Sequence, residues 1–312
     1  YTTSAGGNTI NLGGSVIGNN NSSGITFNNS GAITTGGSNS AAVVVQSIGG
    51  GGGAVFGVAD ATATSITLGG QDATDNQADA LSLTITGDLS TFGTLSPAVL
   101  AQSIGGGGGY APITSERGLA GSRSSLNLNA GAIQFDLSGD VTTNAFGSDG
   151  LLLQSIGAGG GVLGSTSESL TLGASNLANG DAAAISINST GTITTIGAQS
   201  IGISAQSIGA GGGRAGTASG SITLGANGAI GDGGAVSLNL AANGGNGSIR
   251  TVGDQSPAFV LQSIGGGGGL VFPTTKTSSG NLLLGGGSEG TQGKGAVINF
   301  TAGGSSQVVT SG

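Results

Sequence analysis

One tetrapeptide, Gln-Ser-Ile-Gly, recurs five times along the chain, starting at Gln46, Gln102, Gln154, Gln206 and Gln262. The steps between copies are 56, 52, 52 and 56 residues. Few folds accommodate that regularity. A module repeated at such a period cannot bury its own apolar face, so it stacks on its neighbours and shares one continuous core. Stacked modules make scaffolds and binding surfaces more readily than they make a single catalytic cleft.

Aligned on the glutamine, the copies share more than the tetrapeptide. Thirteen residues upstream stand Ile33, Leu89, Val141, Ile193 and Ile249, and two residues after those come Thr35, Thr91, Thr143, Thr195 and Thr251. Twenty-one residues upstream stand Ile25, Leu81, Ile133 and Ile185; in the fifth copy Val236 and Leu238 lie further back, displaced by the Gly- and Asn-rich residues 242–247. Downstream of each motif a further segment follows: Ile66-Thr67-Leu68-Gly69, Leu126-Asn127-Leu128-Asn129, Leu170-Thr171-Leu172-Gly173, Ile222-Thr223-Leu224-Gly225 and Leu282-Leu283-Leu284-Gly285. Ile10-Asn11-Leu12-Gly13 is a partial N-terminal copy of it. These segments alternate apolar and polar residues, as in Leu81-Ser82-Leu83-Thr84-Ile85-Thr86, which is the period of a half-buried strand. Gly, Asn and Asp between them supply the corners.

Composition narrows the fold class. Glycine supplies 70 of 312 residues, and charged residues only 6%, against roughly 25% in ordinary domains. At 36% hydrophobic residues and a mean hydropathy of +0.24, the chain lacks the polarity and charge of a disordered segment. Glycine does not fall at every third position, which excludes collagen. The expectation is an all-β fold, a right-handed parallel β-solenoid (β-helix) of about five 52–56-residue repeats. It forms one continuous array over residues 1–312, with motifs at 46–53, 102–109, 154–161, 206–213 and 262–269. Ile, Leu, Val and Ala should point inward, and Thr, Ser, Asn and Gln outward. Two coils per repeat are expected, giving a rod of roughly 50–60 Å at about 4.8 Å per rung; a single wide coil per repeat would halve it. Both ends fall inside a repeat, and residues 308–312 match residues 193–197, so the chain reads as a fragment of a longer repeat protein.

Each motif opens a run of small residues, at 49–53, 105–109, 157–161, 209–213 and 265–269. A flexible linker would not hold its phase against an apolar strand through five copies. The runs instead point to close backbone approach, between coils or between molecules, where any Cβ would clash. No Gly-Lys-Ser or Gly-Lys-Thr follows a run and none opens a helix, which argues against a phosphate cradle. The structural positions of the motif are therefore Gln46, Ile48, Gln102, Ile104, Gln154, Ile156, Gln206, Ile208, Gln262 and Ile264. The loops after them vary in length and are the expected seat of partner specificity.

The chain has no His or Cys, which removes Ser-His-Asp and Cys-His machinery and thiolate metal sites. Six basic residues are scattered, so no basic patch points to nucleic acid. Acids remain. Asp136 and Asp140 are the carboxylates a polysaccharide-cleaving solenoid could use, although they do not recur from copy to copy. Asp72, Asp75 and Asp79 form the one weak candidate for holding a calcium ion. Thr84-Ile85-Thr86 is the one Thr-x-Thr unit in a clear strand, the pattern an ice-binding face would need. The residues favour a non-enzyme without cofactor over all three of these alternatives.

Ile-Thr-Thr-x-Gly, a Ser-Ala, Ser-Pro or Ile-Gly lead, and then Ala-Gln-Ser-Ile with its glycines resembles the passenger repeats of large Gram-negative autotransporters. The match is carried by Ala101-Gln102-Ser103-Ile104 with glycines 105–109, and by Ile201-Gly202-Ile203-Ser204-Ala205-Gln206-Ser207-Ile208. That resemblance implies a β-solenoid adhesin at the bacterial cell surface or outside it. The function expected is an extracellular structural or adhesive solenoid, a surface adhesin or a fibre-forming biofilm-matrix component. Its expected partners are further copies of itself and cell-surface glycans. Outer-membrane anchoring would come only through other parts of the parent protein.

Overall fold

The structure, a computed structural model, describes residues 8–12, 21–56, 64–69, 75–113, 118–121, 128–165, 168–173, 179–216, 218–225, 230–272, 281–285 and 293–312. It is a parallel β-solenoid. The third coil shows the plan. Its strands run Ile133–Leu137, Val141–Thr143, Leu151–Ile156, Gly160–Ser165 and Leu170–Leu172. Each pairs only with the equivalent strand of the coils above and below, in parallel, which builds five sheets along the axis. We call them sheets I to V in the order the coil visits them. Sheets I, II and V have six strands, and III and IV have five.

Each repeat is a single coil. Gln46 pairs directly with Gln102, and Gln154 with Gln206, so 52 or 56 residues make one turn of the solenoid. The expected two coils per repeat are thereby corrected. At roughly 4.8 Å per rung, six rungs make a stack about 25 Å tall. The extra length goes into cross-section, because the coil folds back on itself. Sheet III is buried on both faces: in Leu151–Ile156 every residue is buried. Leu151 and Leu153 face sheets I and II and join a core with Phe135, Leu137, Ile185, Ile187 and Ile193. On the other face, Leu100 and Leu152 meet Tyr110 and Val162 of sheet IV. The far side of sheet IV, Ala111, Leu163 and Ala215, packs on Leu170, Leu172 and Leu224 of sheet V.

The alternation predicts sheets I and II and most of sheet V. Ile10 pairs with Ile66, and the fifth coil's Val236 and Leu238 pair with Ile185 and Ile187 despite the insertion that follows. The insertion forms a single 3-10 turn, Ala242–Gly244. One segment was misaligned. The partner of Ile66–Leu68 in the next coil is Gly118–Ala120, and Leu128 and Asn129 belong instead to the stretch leading into sheet I. Small Gly and Ala side chains hide that strand from a reading based on hydrophobic alternation.

Candidate functional site

The repeated motif is the best-defined polar constellation, and each of its residues has a separate task. In the third coil the Gln154 amide nitrogen donates to Gln206 Oε1 at 2.7 Å and to the Gly161 carbonyl at 3.2 Å. Its own oxygen accepts from Gln102 Nε2 at 2.7 Å. The column runs unbroken from Gln46 through Gln102, Gln154 and Gln206 to Gln262. Gln102, Gln154 and Gln206 are fully buried, so the expected outward row does not include them. A buried primary amide must satisfy two donors and an acceptor. Stacking identical side chains at the rung spacing does so, as in cross-β ladders.

The serine points to the opposite face. Ser155 Oγ accepts from the Ala183 N–H at 2.9 Å and donates to the Gly131 carbonyl at 3.0 Å, tying together the stretches that enter sheet I in two successive coils. Ser103 and Ser207 repeat this bridge. Ile104, Ile156 and Ile208 form an apolar column of their own, with Ile48 and Ile264 packed on it. The glycines close the corner into sheet IV. Gly108 and Gly109 hold φ of +141°. A Cβ on Gly108 would overlap the Gly160 carbonyl of the next coil, and one on Gly109 the Gly53 carbonyl of the previous coil. The runs are thus a site of close approach between coils.

A second internal column runs through the corner between sheets II and III. Thr91, Thr143, Thr195 and Thr251 were expected to face water, yet all are buried. Thr143 Oγ1 donates to the Ser148 carbonyl at 2.6 Å, and Ser148 N–H donates to Ser200 Oγ of the next coil at 2.9 Å. The signal was present: Ser40, Ser96, Ser148, Ser200 and Ser256 stand six residues before each motif glutamine. A serine held in phase at a corner signals a side chain bonded to backbone.

The carboxylates are dispersed. Asp140 is taken up by the backbone: its Oδ1 accepts the Thr192 N–H at 2.7 Å, while its own N–H donates to Asp88 at 2.9 Å. Asp136 lies on the outer face of sheet I, where Gln134 Nε2 and Asn188 Nδ2 donate to its Oδ1 at 3.0 and 2.8 Å. Asp72 lies outside the described residues, and Asp79 Oδ1 accepts the Ala80 N–H at 2.7 Å. Among the described residues no group of three or more His, Cys, Asp or Glu could hold a metal ion. The loops expected to carry specificity fall largely on residues outside the described ones.

Among the described residues, two local features depart from the repeat. On the outer face of sheet I, the 3-10 turn of the fifth coil overhangs a groove of about 500 Å³ lined by Thr84, Gln134, Asp136, Ser138, Asn188, Thr190 and Asn243, among others. Between sheets III and IV, Arg214 pairs with Asp149 of the coil below and lies 5.1 Å from the Phe272 ring centroid. Burial pushes the Asp149 carboxyl above the usual carboxylate range, against the pull of Arg214 and of the Ile201 N–H that donates to it. Tyr110 is raised too, by burial first and then by Asp149. Comparison of this chain with protein-family models, curated proteins and solved structures finds no match to any of them.

Proposed function

We propose that this chain is an extracellular structural or adhesive β-solenoid, which self-associates into fibres or a cell-surface matrix in the manner of the adhesin repeats it resembles. The observation that carries this reading is where the repeated chemistry goes. The Gln, Ser and Gly of the motif and the Thr and Ser of the preceding corner are committed to neighbouring coils or to their own backbone. What repeats is therefore the stacking itself, as in a building material.

The outside supports the same reading. It is rich in Thr, Ser and Asn, and the chain carries only 20 charged groups in 312 residues. Low charge removes the repulsion that keeps proteins dispersed. The corner between sheets II and III carries three exposed apolar side chains, Phe92, Phe146 and Ile196, 57%, 48% and 43% exposed, which offer lateral contacts between copies. Having no Cys, Met, Trp or His, the chain also offers little to oxidative damage outside a cell.

Negative-stain electron microscopy of the purified chain at rising concentration tests the proposal. Filaments or laterally packed sheets are expected, and changing Phe92, Phe146 and Ile196 to Ser should disperse them. Monodisperse particles at every concentration, together with turnover of a polysaccharide, would sink the structural reading.

A further inference from the structure

We propose that the groove on the outer face of sheet I binds an uncharged carbohydrate chain through hydroxyl groups, with Asp136 as its central acceptor. The inference rests on the adhesive half of the function proposed above and gives it a ligand class and a position. Three observations carry it.

The first is that the groove is built by a departure from the repeat. In its first four coils sheet I continues directly into the short corner before sheet II. In the fifth, Leu240 ends the strand's apolar row and residues 241–247 double back, with Gly247 N–H returning to the Leu240 carbonyl at 2.7 Å. Asn243 takes a left-handed φ of +53° at the tip. A Cβ on Gly245 would collide with the Thr190 side chain, so the turn is seated on the corner that follows sheet I in the fourth coil. The volume beneath, about 500 Å³, is open to solvent along the sheet, which suits a chain lying across the face rather than a small molecule enclosed in a cleft.

The second is the lining. Carboxamides of Gln134, Asn188 and Asn243, hydroxyls of Thr84, Ser138 and Thr190, and one carboxylate converge there, with no aromatic, basic or thiol group among the lining residues. Uncharged amides and hydroxyls beside one carboxylate, without a cation, suit sugar hydroxyls better than a phosphate or sulfate. The lone carboxylate sets a sign: it repels uronate, sialate or sulfated chains and accepts neutral ones.

The third is that the carboxylate is preoriented. Gln134 and Asn188, from its own coil and the next, both donate to Asp136 Oδ1. They fix the carboxyl plane, so the ordering cost is met before a ligand arrives. A charged acceptor aimed at hydroxyls gives the stronger class of hydrogen bond.

Titration of the whole chain by isothermal calorimetry with maltohexaose, cellohexaose and mannohexaose, and with a hyaluronan hexasaccharide as the anionic control, tests the inference. At least one neutral oligomer should bind, and the anionic one should not. Asp136→Ala should weaken that binding about tenfold, the loss expected for a charged hydrogen bond. Asp88→Ala, which alters an acid outside the groove, should leave binding unchanged. Asn243→Ala supplies a second variant that leaves sheet I intact, and it should also weaken binding. No binding by any neutral oligomer, equal binding to Asp136→Ala, or preference for hyaluronan would overturn the assignment. Filament formation by the same samples is read separately by microscopy, so failure here is distinguishable from failure of the fibre reading.

Discussion

The two faces of sheet III differ in what changes from coil to coil and what does not. On one face, toward sheets I and II, Leu, Ile, Val and Phe fill an apolar core whose occupants change from coil to coil. Leu83, Phe135, Ile187 and Leu238 occupy the same register position in successive coils. On the other face, toward sheet IV, Gln stays Gln in all five coils and the glycines change only to alanine, at Ala158 and Ala210. The difference is one of mechanism. Hydrophobic burial is non-directional and tolerates changes of shape when total volume is kept. A backbone packed against backbone, beside a hydrogen-bonded amide column, admits one geometry. The seam fixes the height and register of each coil, and the apolar core supplies bulk stabilisation.

The sharpest way to break this contrast is a single methyl group. Gly160 holds φ of +142°, and its Cβ would overlap the Gly212 carbonyl oxygen of the next coil. Gly160→Ala adds backbone strain, overpacking and a displaced ladder bond, together about 5 kcal/mol. Chemical denaturation should show loss of the cooperative transition or a large drop in its midpoint. Gly36→Ala is the control, because nothing lies within 4 Å of its Cβ; a change within about 0.5 kcal/mol is expected there. Equal effects at the two sites would show that the seam is not the rigid element.

The ion pair in that seam makes the next largest test. In coils two and three the seam is apolar, with Leu100, Leu152, Tyr110 and Val162. In the fourth coil Ser204 and Arg214 take the places of Leu152 and Val162. Arg214→Val restores the apolar residue but leaves Asp149 buried without its cation, which should cost about 3–5 kcal/mol. Adding Asp149→Asn keeps an acceptor for the Ile201 N–H and should recover most of that loss. A double variant as unstable as the single one would show that Arg214 contributes packing rather than charge.

The two faces can then be compared directly. Phe135→Leu lies in the tolerant core, where coil two already has Leu83, and should cost less than about 1.5 kcal/mol. Gln154→Leu has similar volume but strands the Gln102 amide donor, the Gln206 oxygen and the Gly161 carbonyl. A cost of about 2–3 kcal/mol is expected by denaturant titration. If Gln154→Leu proves the milder change, the amide column is dispensable and the contrast fails.

How much of this was legible follows from the same contrast. Strands in sheets I and II, and most of those in sheet V, announce themselves by alternation, because one face is apolar and the other wet. Sheet III carries unbroken apolar runs, Val43-Val44-Val45 and Leu151-Leu152-Leu153, the pattern of a strand covered on both sides. That pattern was the available sign that the coil folds back and is one wide turn. Length alone could not choose, since 52 residues suit two narrow coils or one folded one. Gln154 and Thr143 read as outward because polarity usually means water; hydrogen bonds to the adjacent coils for Gln154, and to the Ser148 carbonyl for Thr143, are what permit their burial. Among the described residues the Asp136 groove and the Asp149–Arg214 pair each belong to one place in the stack, so periodicity could not announce them.

The smallest expected effect tests whether Asp149 is strained by its burial. Its folded-state pKa lies above the ordinary 3.8, chiefly because burial disfavours the charge, with Arg214 opposing. A carboxyl that holds its proton more tightly when folded adds stability at pH values below its unfolded pKa. That contribution is lost as pH rises from about 3.8 through the raised folded value. Asp149→Asn carries no titrating proton, so it should lack this decline, and its stability relative to the parent should improve as pH rises toward neutrality. Denaturation midpoints at several values from pH 3 to 8 would show it, over the common background of the other acids. The opposite slope, with the parent gaining on the variant as pH rises, would mean that Arg214 outweighs burial. Asp149 would then be held as a stabilised carboxylate, and the seam would tolerate charge better than the glycine and glutamine columns suggest.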